Sequence, residues 1–487
     1  MTTRSAAIRA SLAHPVIDAD GHFVEIGPLL HDELVAELER AGGSALRERY
    51  LASGVAPTDT SAILAGRTLA GARDSWSAMP SWWGWPTENA RDRATAHLPA
   101  LLYDRLDEMG IDLMIAYPSM ALGLLDLGDP ELARAACRAV NAMHARLFAP
   151  YRDRILPGAL VSLVTPEVGL DVLEHAVGTL GLRAGVISSY VRRPIAAIER
   201  RHGATLPPVY RCDVFGIDSE YDYDPFWARC VELGFAPASH GGFQYHRVAR
   251  SPSSYVYNHI AGLAHGHEAL AKALVLGGVL ARFPALRVAF LEGGVAWACS
   301  LLADLVGHFE KRSGAAIRAL DPGRLDVDAL MALFRSVGGD DVRRKEPELR
   351  AYFAAPGARP EEIDEFRKSG AKTSEELVSS FASAFAFGCE ADDPLVSWAF
   401  AEKVNPHGAR LRALFGSDIS HWDVPDMTEP VEEAFERVER GLVTSSEFRD
   451  FAFANAVRFH GGANPRFFEG TRCEKAAAEV LAQEPRA

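Results

Sequence analysis

Cysteine is scarce and scattered. Six residues (Cys137, Cys212, Cys230, Cys299, Cys389 and Cys473) occur in a chain of 487, with no CxxC pair among them. That spacing argues against a disulfide scaffold and a structural zinc module, and makes a reduced, cytoplasmic setting the expectation. No run approaches the roughly 18 apolar residues of a membrane span. The opening Met1-Thr-Thr-Arg-Ser-Ala-Ala-Ile-Arg9 lacks the apolar stretch of a signal peptide. Positive charge is also in short supply. Lys and Arg number 51 against 65 Asp and Glu, a net charge of −14, so neither nucleic acid nor an anionic membrane is an expected partner. No internal repeat or low-complexity segment is visible.

What is present is a succession of short apolar runs that end abruptly in polar residues. The first, Val16-Ile-Asp-Ala-Asp-Gly-His22, places Asp18, Asp20 and His22 on one face if it is a strand. Two carboxylates and an imidazole converging there have the chemistry of a metal site, although a turn with an Asp cap and a relaxed glycine also fits the string. Later runs alternate with helical patterns: strands over 112–117, 155–163, 184–189, 235–239, 286–291, 381–388 and 411–416. Helices are expected over 29–50, 101–109, 129–151, 166–180, 224–233, 253–280, 297–311, 346–372, 429–440 and 445–456. Residues 190–225 read as a long loop.

Strands alternating with helices imply βαβ units and a parallel sheet. Eight of them close a (β/α)8 TIM barrel, whose functional groups gather at the C-terminal ends of the strands. His240 falls there after the fifth strand, Glu292 after the sixth, Glu390 after the seventh and Asp418 after the eighth. The expected organisation is one domain over residues 1–487, a distorted barrel with insertions at about 41–100 and 312–380. The first insertion holds Trp76, Trp82, Trp83 and Trp85 with Pro80 and Pro86, as a packed cover or as a lid walling a bulky apolar substrate. The second is helical.

Four stretches carry a family resemblance: Asp20-Gly-His22 with Glu25; Ala136-Cys-Arg-Ala-Val-Asn141; Gly278-Val-Leu-Ala-Arg-Phe-Pro-Ala-Leu-Arg287 leading to Glu292-Gly-Gly; and Phe415-Gly-Ser-Asp-Ile-Ser-His-Trp422. Over most of residues 14–465 the chain resembles the amidohydrolase superfamily, in the branch of aminocarboxymuconate-semialdehyde and resorcylate-type decarboxylases. The resemblance implies a distorted TIM barrel with one or two divalent metals. It sets Asp20 and His22 at the first-strand ligand pair, His240 at the fifth-strand ligand and Asp418 at the eighth-strand aspartate, which in hydrolytic relatives also accepts a proton from water. Two departures stand out. Ser188-Ser189 falls where binuclear members carry a bridging lysine, and Glu292 stands nearest the place of the usual sixth-strand histidine.

The expected metal set is therefore Asp20, His22, His240, Glu292 and Asp418, joined by His265 and His267 from the helix that also bears His259. Asp418 and His421 are the candidate catalytic pair, with His421 read equally as a second partner of the site or as a loop hydrogen bond. At most one or two of the helix histidines can face the site, because residues two apart on a helix diverge. Asp18 reads as a buried structural carboxylate, and Glu390 as a second-metal ligand or an exposed turn. Imidazole and carboxylate donors suit Fe, Zn or Mn. Two ions are expected, with iron favoured.

Three chemistries compete: hydrolysis by metal-activated water with Asp418 as base, non-oxidative decarboxylation, and O2-dependent hydroxylation. The length, the carboxylate-rich set and the tryptophans are similar to the amidohydrolase-fold nonheme diiron monooxygenases of platensimycin-type diterpenoid biosynthesis. That resemblance implies a bulky terpenoid acyl substrate such as a CoA thioester, whose phosphate or carboxylate Arg192, Arg193, Arg247 or Arg250 could clamp. A homodimer is compatible with all three.

Overall fold

The computed structural model describes residues 2–53, 67–79, 89–202, 209–240, 250–354 and 363–483. Ten strands are numbered here in chain order: β1 (Ile17–Phe23), β2 (Leu113–Pro118), β3 (Ile155–Leu160), β4 (Ala184–Ile187), β5 (Val191–Pro194), β6 (Tyr210–Asp213), β7 (Ala238–Ser239), β8 (Val288–Phe290), β9 (Phe385–Glu390) and β10 (Arg412–Gly416). Eight of them form one parallel sheet in the order β1-β2-β3-β4-β7-β8-β9-β10. The sheet curls until its ends meet. The Asp418 N–H donates to the Asp20 carbonyl across 3.0 Å, and the Ser417 N–H reaches the Asp18 carboxylate at 3.0 Å. This is the expected (β/α)8 barrel. Its strands are covered on both faces, which is why they read as near-continuous apolar runs rather than alternating ones.

Local sequence explains where the covering helices begin and stop. In Pro130–Leu147, Asp129 caps the N–H groups of Glu131 and Leu132, and proline occupies the first turn. The helix Pro99–Met109 stops at Gly110, whose φ of 74° is left-handed. Two glycines relieve crowding around the first strand, Gly21 against its neighbours in β1 and β2 and Gly416 where the last strand meets the first. A Cβ on Gly21 would lie 2.6 Å from an Asp18 oxygen, and one on Gly416 would lie 2.8 Å from the Asp20 Cβ. Next to Gly21 the β1–β2 register slips between Asp18 and Gly21, so β1 is bulged rather than regular.

Four expectations need correction. Residues 190–225 are not a plain loop: β5 pairs antiparallel with β6, and Ala196–His202 is helical. The apolar run from Phe381 begins inside the helix Ser374–Ala384, capped by Thr373, and β9 starts only at Phe385. Burial of Leu377, Val378, Phe381 and Ala384 follows the helical rather than the alternating period. The expected helix 253–280 is three pieces, Tyr255–His259, Gly262–Leu276 and Val279–Arg282, broken at Ala261 (φ 56°) and Gly278 (φ 76°). The helix expected over 346–372 ends at Phe353.

Residues 316–353 form short helices outside the barrel, in which only Ile317 and Met331 are buried. Trp82, Trp83 and Trp85 of the tryptophan-rich stretch lie outside the described residues, while Trp76 is about half exposed. Among the described residues no helix is long and apolar enough to cross a membrane.

Candidate metal centre

The strand ends deliver side chains from four distant parts of the chain to one point. Asp20 and His22 come from β1, His240 follows β7, Glu292 lies just past β8, and Asp418 with His421 follows β10. The Nε2 atoms of His22 and His240 are 3.1 Å apart. His22 Nε2 is 3.6 Å from Asp20 Oδ1 and 3.3 Å from Asp418 Oδ1. His240 Nε2 is 3.7 Å from Asp20 Oδ1 and 3.4 Å from Glu292 Oε2, and His421 Nδ1 is 2.7 Å from Asp418 Oδ1. Glu292 and Asp418 hold left-handed backbones, φ 57° and 47°. Such conformations are costly for non-glycine residues and collect where surrounding structure imposes them for a site.

These donors fall into two overlapping sets, Asp20/His22/His240 and His22/Glu292/Asp418/His421, within each of which the donor atoms lie no more than 4.8 Å apart. Electrostatics asks for a cation. Burial drives the Asp20 carboxyl well above the usual range, and the charges of Asp18 and Glu390 push the same way. Glu292 and Asp418 are raised likewise, by burial first and then by neighbouring carboxylates. Burial pulls His240 down to about 3 and His421 to about 4, so both rings are neutral near pH 7. Asp20 Oδ1, both Asp418 oxygens and His240 Nδ1 are buried with no hydrogen-bond partner among the described residues. Buried carboxylates with free lone pairs beside neutral imidazoles fit divalent metal, because a shared cation removes both the repulsion and the unmet desolvation cost.

The two helix histidines are elsewhere. His265 sits on the exposed side of Gly262–Leu276. His267 points inward, but its Nε2 is 2.7 Å from the Leu291 carbonyl, and its Nδ1 is 3.0 and 3.2 Å from the Ser189 and Ser239 hydroxyls. Both nitrogens being engaged, the ring ties this helix to β7 and β8 instead of donating to a cation. The break at Ala261 sets the phase of the helix, and that break has no signature in the periodic pattern. His259 instead lies at the rim, 3.6 Å from Asp423 and edge-on to Trp422. Burial works to raise Asp423, but the His259 hydrogen bond and the charges of His421 and His259 outweigh it and hold the carboxyl below its ordinary range.

Asp18 is structural: its carboxylate accepts from the Ser417 N–H, the Ser417 hydroxyl and the Asp20 N–H. Glu390 is largely buried and pushed up to about 8, chiefly by burial and then by Asp423, Asp392 and Asp393. Arg192 and Arg193 are paired with Asp126 and Asp213 and are not open anion clamps; Arg247 lies outside the described residues.

The sequence reading missed the support beneath the centre. Ser119, just past β2, hydrogen-bonds both His22 and His421. Glu25 accepts from the N–H groups of Ser119, Met120 and Ala121 and lies 3.0 Å from His144 Nε2. Position at the end of a barrel strand was the one signal that could have singled out Ser119.

No curated protein matches this sequence. Among solved structures, an amidohydrolase of Mycobacterium avium subsp. paratuberculosis K-10 is similar, at 15% identity and TM-score 0.55, over 93% of this chain and 99% of that one. The 5-carboxyvanillate decarboxylase of Novosphingobium aromaticivorans, complexed with manganese and 4-hydroxy-3-methoxy-5-nitrobenzoic acid, is 16% identical with TM-score 0.50, over 92% and 96% of the two chains. At such identities the likeness speaks to fold. The family model described as Amidohydrolase matches residues 17–372, a span that carries the first six barrel strands and Glu292, and the chain belongs to that family.

Proposed function

We propose that this protein is a metal-dependent enzyme that holds two divalent cations, and that its chemistry is O2-dependent hydroxylation of a bulky apolar small molecule, an acyl or acyl-CoA compound in the best-fitting case. The observation that carries the two-cation reading is that Asp20, His22 and His240 form one donor group and Glu292 and Asp418 belong to a second beside it; the single Nε2 lone pair of His22 serves one ion, so carboxylates would complete the other. Three carboxylates and two imidazoles supply enough charge and donors for two ions, and a 2-His-1-carboxylate face such as Asp20/His22/His240 suits nonheme iron. The serines at 188–189 leave no lysine in the fourth-strand place, so carboxylates and imidazoles would have to hold the ions without one.

When bound, two irons would supply O2 activation, with an external two-electron donor completing the balance: one oxygen atom to product and the other to water. The chain's own part is to orient and to exclude. Asp20, His22, His240, Glu292 and Asp418 would hold the ions, and the burial of Asp20, His22, His240 and Asp418 keeps bulk water from the reacting face. His421 beside Asp418 is placed to hold a proton at Nδ1. His259 and Trp422, backed by the buried Tyr255, offer apolar surface to a substrate at the barrel mouth.

The Asp418–His421 pair favours a second reading, hydrolysis or hydration, in which a bound cation would supply acidified water and Asp418 with His421 would take up its proton. A single experiment separates the readings. Metal-stripped protein is reconstituted with Fe2+, Mn2+ or Zn2+ and given a panel of bulky acyl-CoA thioesters and aromatic acids, with and without O2 and a reductant, and the products are weighed by mass spectrometry. Gain of one oxygen atom that requires both O2 and iron supports hydroxylation. Gain of water, or loss of CO2 under anaerobic conditions with Mn2+ or Zn2+, overturns it.

A further inference from the structure

We propose that Ser119 is a positioning residue whose single hydroxyl sets the proton positions of two histidines at once, making His22 a cation donor through Nε2 and His421 the proton-bearing neighbour of Asp418. This deepens the metal-site reading and rests on it in one respect, that the face of His22 turned to the cluster must be unprotonated.

The argument follows from counting protons. Ser119 Oγ is 3.2 Å from His22 Nδ1 and 3.1 Å from His421 Nε2. A hydroxyl has one hydrogen to give and two lone pairs that accept, so it can donate to at most one of the two rings. His22 Nε2 faces His240, Asp20 and Asp418, and it can offer a lone pair there only if the ring's proton is on Nδ1. That proton is then offered to the Ser119 oxygen and to the Pro118 carbonyl, which also accepts from His22. On His421 it is Nδ1 that lies 2.7 Å from Asp418 Oδ1, and a carboxylate oxygen accepts, so the ring's proton belongs on Nδ1 and Nε2 is left to accept the Ser119 hydrogen. His421 therefore has no free lone pair on the cluster side. Although its Nδ1 lies within the second donor set, it acts on Asp418 and not on a cation.

Ser119 is not free to abandon this post. The Glu25 carboxylate accepts from the N–H groups of Ser119 (3.3 Å), Met120 (2.8 Å) and Ala121 (3.4 Å). Its other oxygen meets the buried His144 at 3.0 Å. A buried carboxylate that accepts three backbone N–H groups on one oxygen pins the turn from which the hydroxyl reaches the two rings. Partners of this kind fix the tautomer and orientation of metal-binding histidines, and losing one typically weakens metal binding about 10–100-fold.

The test uses full-length wild type, Ser119→Ala and Ser119→Thr, with imidazole nitrogens labelled with 15N. In metal-free protein, long-range proton–nitrogen spectra report the ring protons directly; wild type should show Nδ1–H on both His22 and His421, and Ser119→Ala should lose that preference. Calorimetric titration with Mn2+ alone should show a 10–100-fold loss of affinity in Ser119→Ala and recovery to within a few-fold in Ser119→Thr, whose methyl has room because Ser119 is only half-buried. Circular dichroism confirms that each variant is folded. An Nε2–H tautomer at His421 in wild type, or equal Mn2+ affinity in wild type and Ser119→Ala, overturns the proposal. Failure of wild type to bind Mn2+, Fe2+ or Zn2+ overturns the metal reading instead, and the tautomer spectra still decide the role of Ser119.

Discussion

Replacing Asp18 by alanine should weaken the seam on which the whole site rests. Its carboxylate accepts the Ser417 N–H at 3.0 Å and the Asp20 N–H at 3.2 Å, together with the Ser417 hydroxyl, and so joins β1 to β10. Alanine leaves two buried N–H groups without an acceptor, at about 1–3 kcal/mol each. Part of that loss is returned, because the carboxylate is itself expensive to bury: burial lifts it to about 6 in spite of these three bonds. The net expectation is a loss on the order of 3 kcal/mol. With an unfolding entropy of about 2.1 cal/mol/K per residue, the 487-residue chain should lose roughly 3 °C in melting temperature. Asparagine keeps a carbonyl oxygen for both N–H groups and can donate to the Ser417 hydroxyl, so Asp18→Asn should stay within about 1 kcal/mol of wild type. Calorimetry and urea unfolding of the three proteins measure this directly. Equal damage from alanine and asparagine, or none from alanine, would refute the reasoning that hydrogen-bond acceptance rather than charge holds the seam.

Further predictions concern the histidines. His265→Ala should leave both cation stoichiometry and stability unchanged, whereas His267→Ala should cost on the order of 3 kcal/mol by stranding the Leu291 carbonyl and the Ser189 and Ser239 hydroxyls, without changing the number of ions bound; loss of an ion in either variant would return that residue to the ligand set. His460, stacked on Phe467 at 4.3 Å and pulled to about 3 by burial, binds its proton less well folded than unfolded. Its contribution is complete above the unfolded pKa of about 6.5 and is lost as pH falls from there toward 3, at about 1.4 kcal/mol per pH unit, or about 2 kcal/mol at pH 5. His460→Phe should therefore flatten the acid limb of urea midpoint against pH by one proton, and an unchanged slope would contradict this.

The barrel was legible because each strand is an apolar run cut off by a polar residue, and strand ends are where a barrel collects its chemistry. Asp20, His22, His240, Glu292 and Asp418 each directly follow or close such a run, so counting strands brought them together. Other features depend on contacts that no local pattern encodes. The orientation of His265 and His267 follows from a helix break at Ala261, a residue of high helix propensity held at φ 56° by its surroundings. The β5–β6 hairpin sits in a polar, proline-rich stretch whose strands are four residues each, too short for an alternating signal to emerge. Ser119 carries no motif at all. Its significance arises only when β1, β2 and the segment after β10 are neighbours, and its anchor pairs Glu25 with His144 on a helix more than a hundred residues away.

The central claim is that Asp20, His22, His240, Glu292 and Asp418 together hold two divalent cations. The most direct measurement is metal content by mass spectrometry after reconstitution and extensive dialysis, made on wild type and on Asp418→Asn, with both shown to be folded. Two ions per chain in wild type, falling to one or none in Asp418→Asn, is the expected result. A wild-type chain that retains no divalent metal, or a variant that retains the wild-type number, would contradict the account.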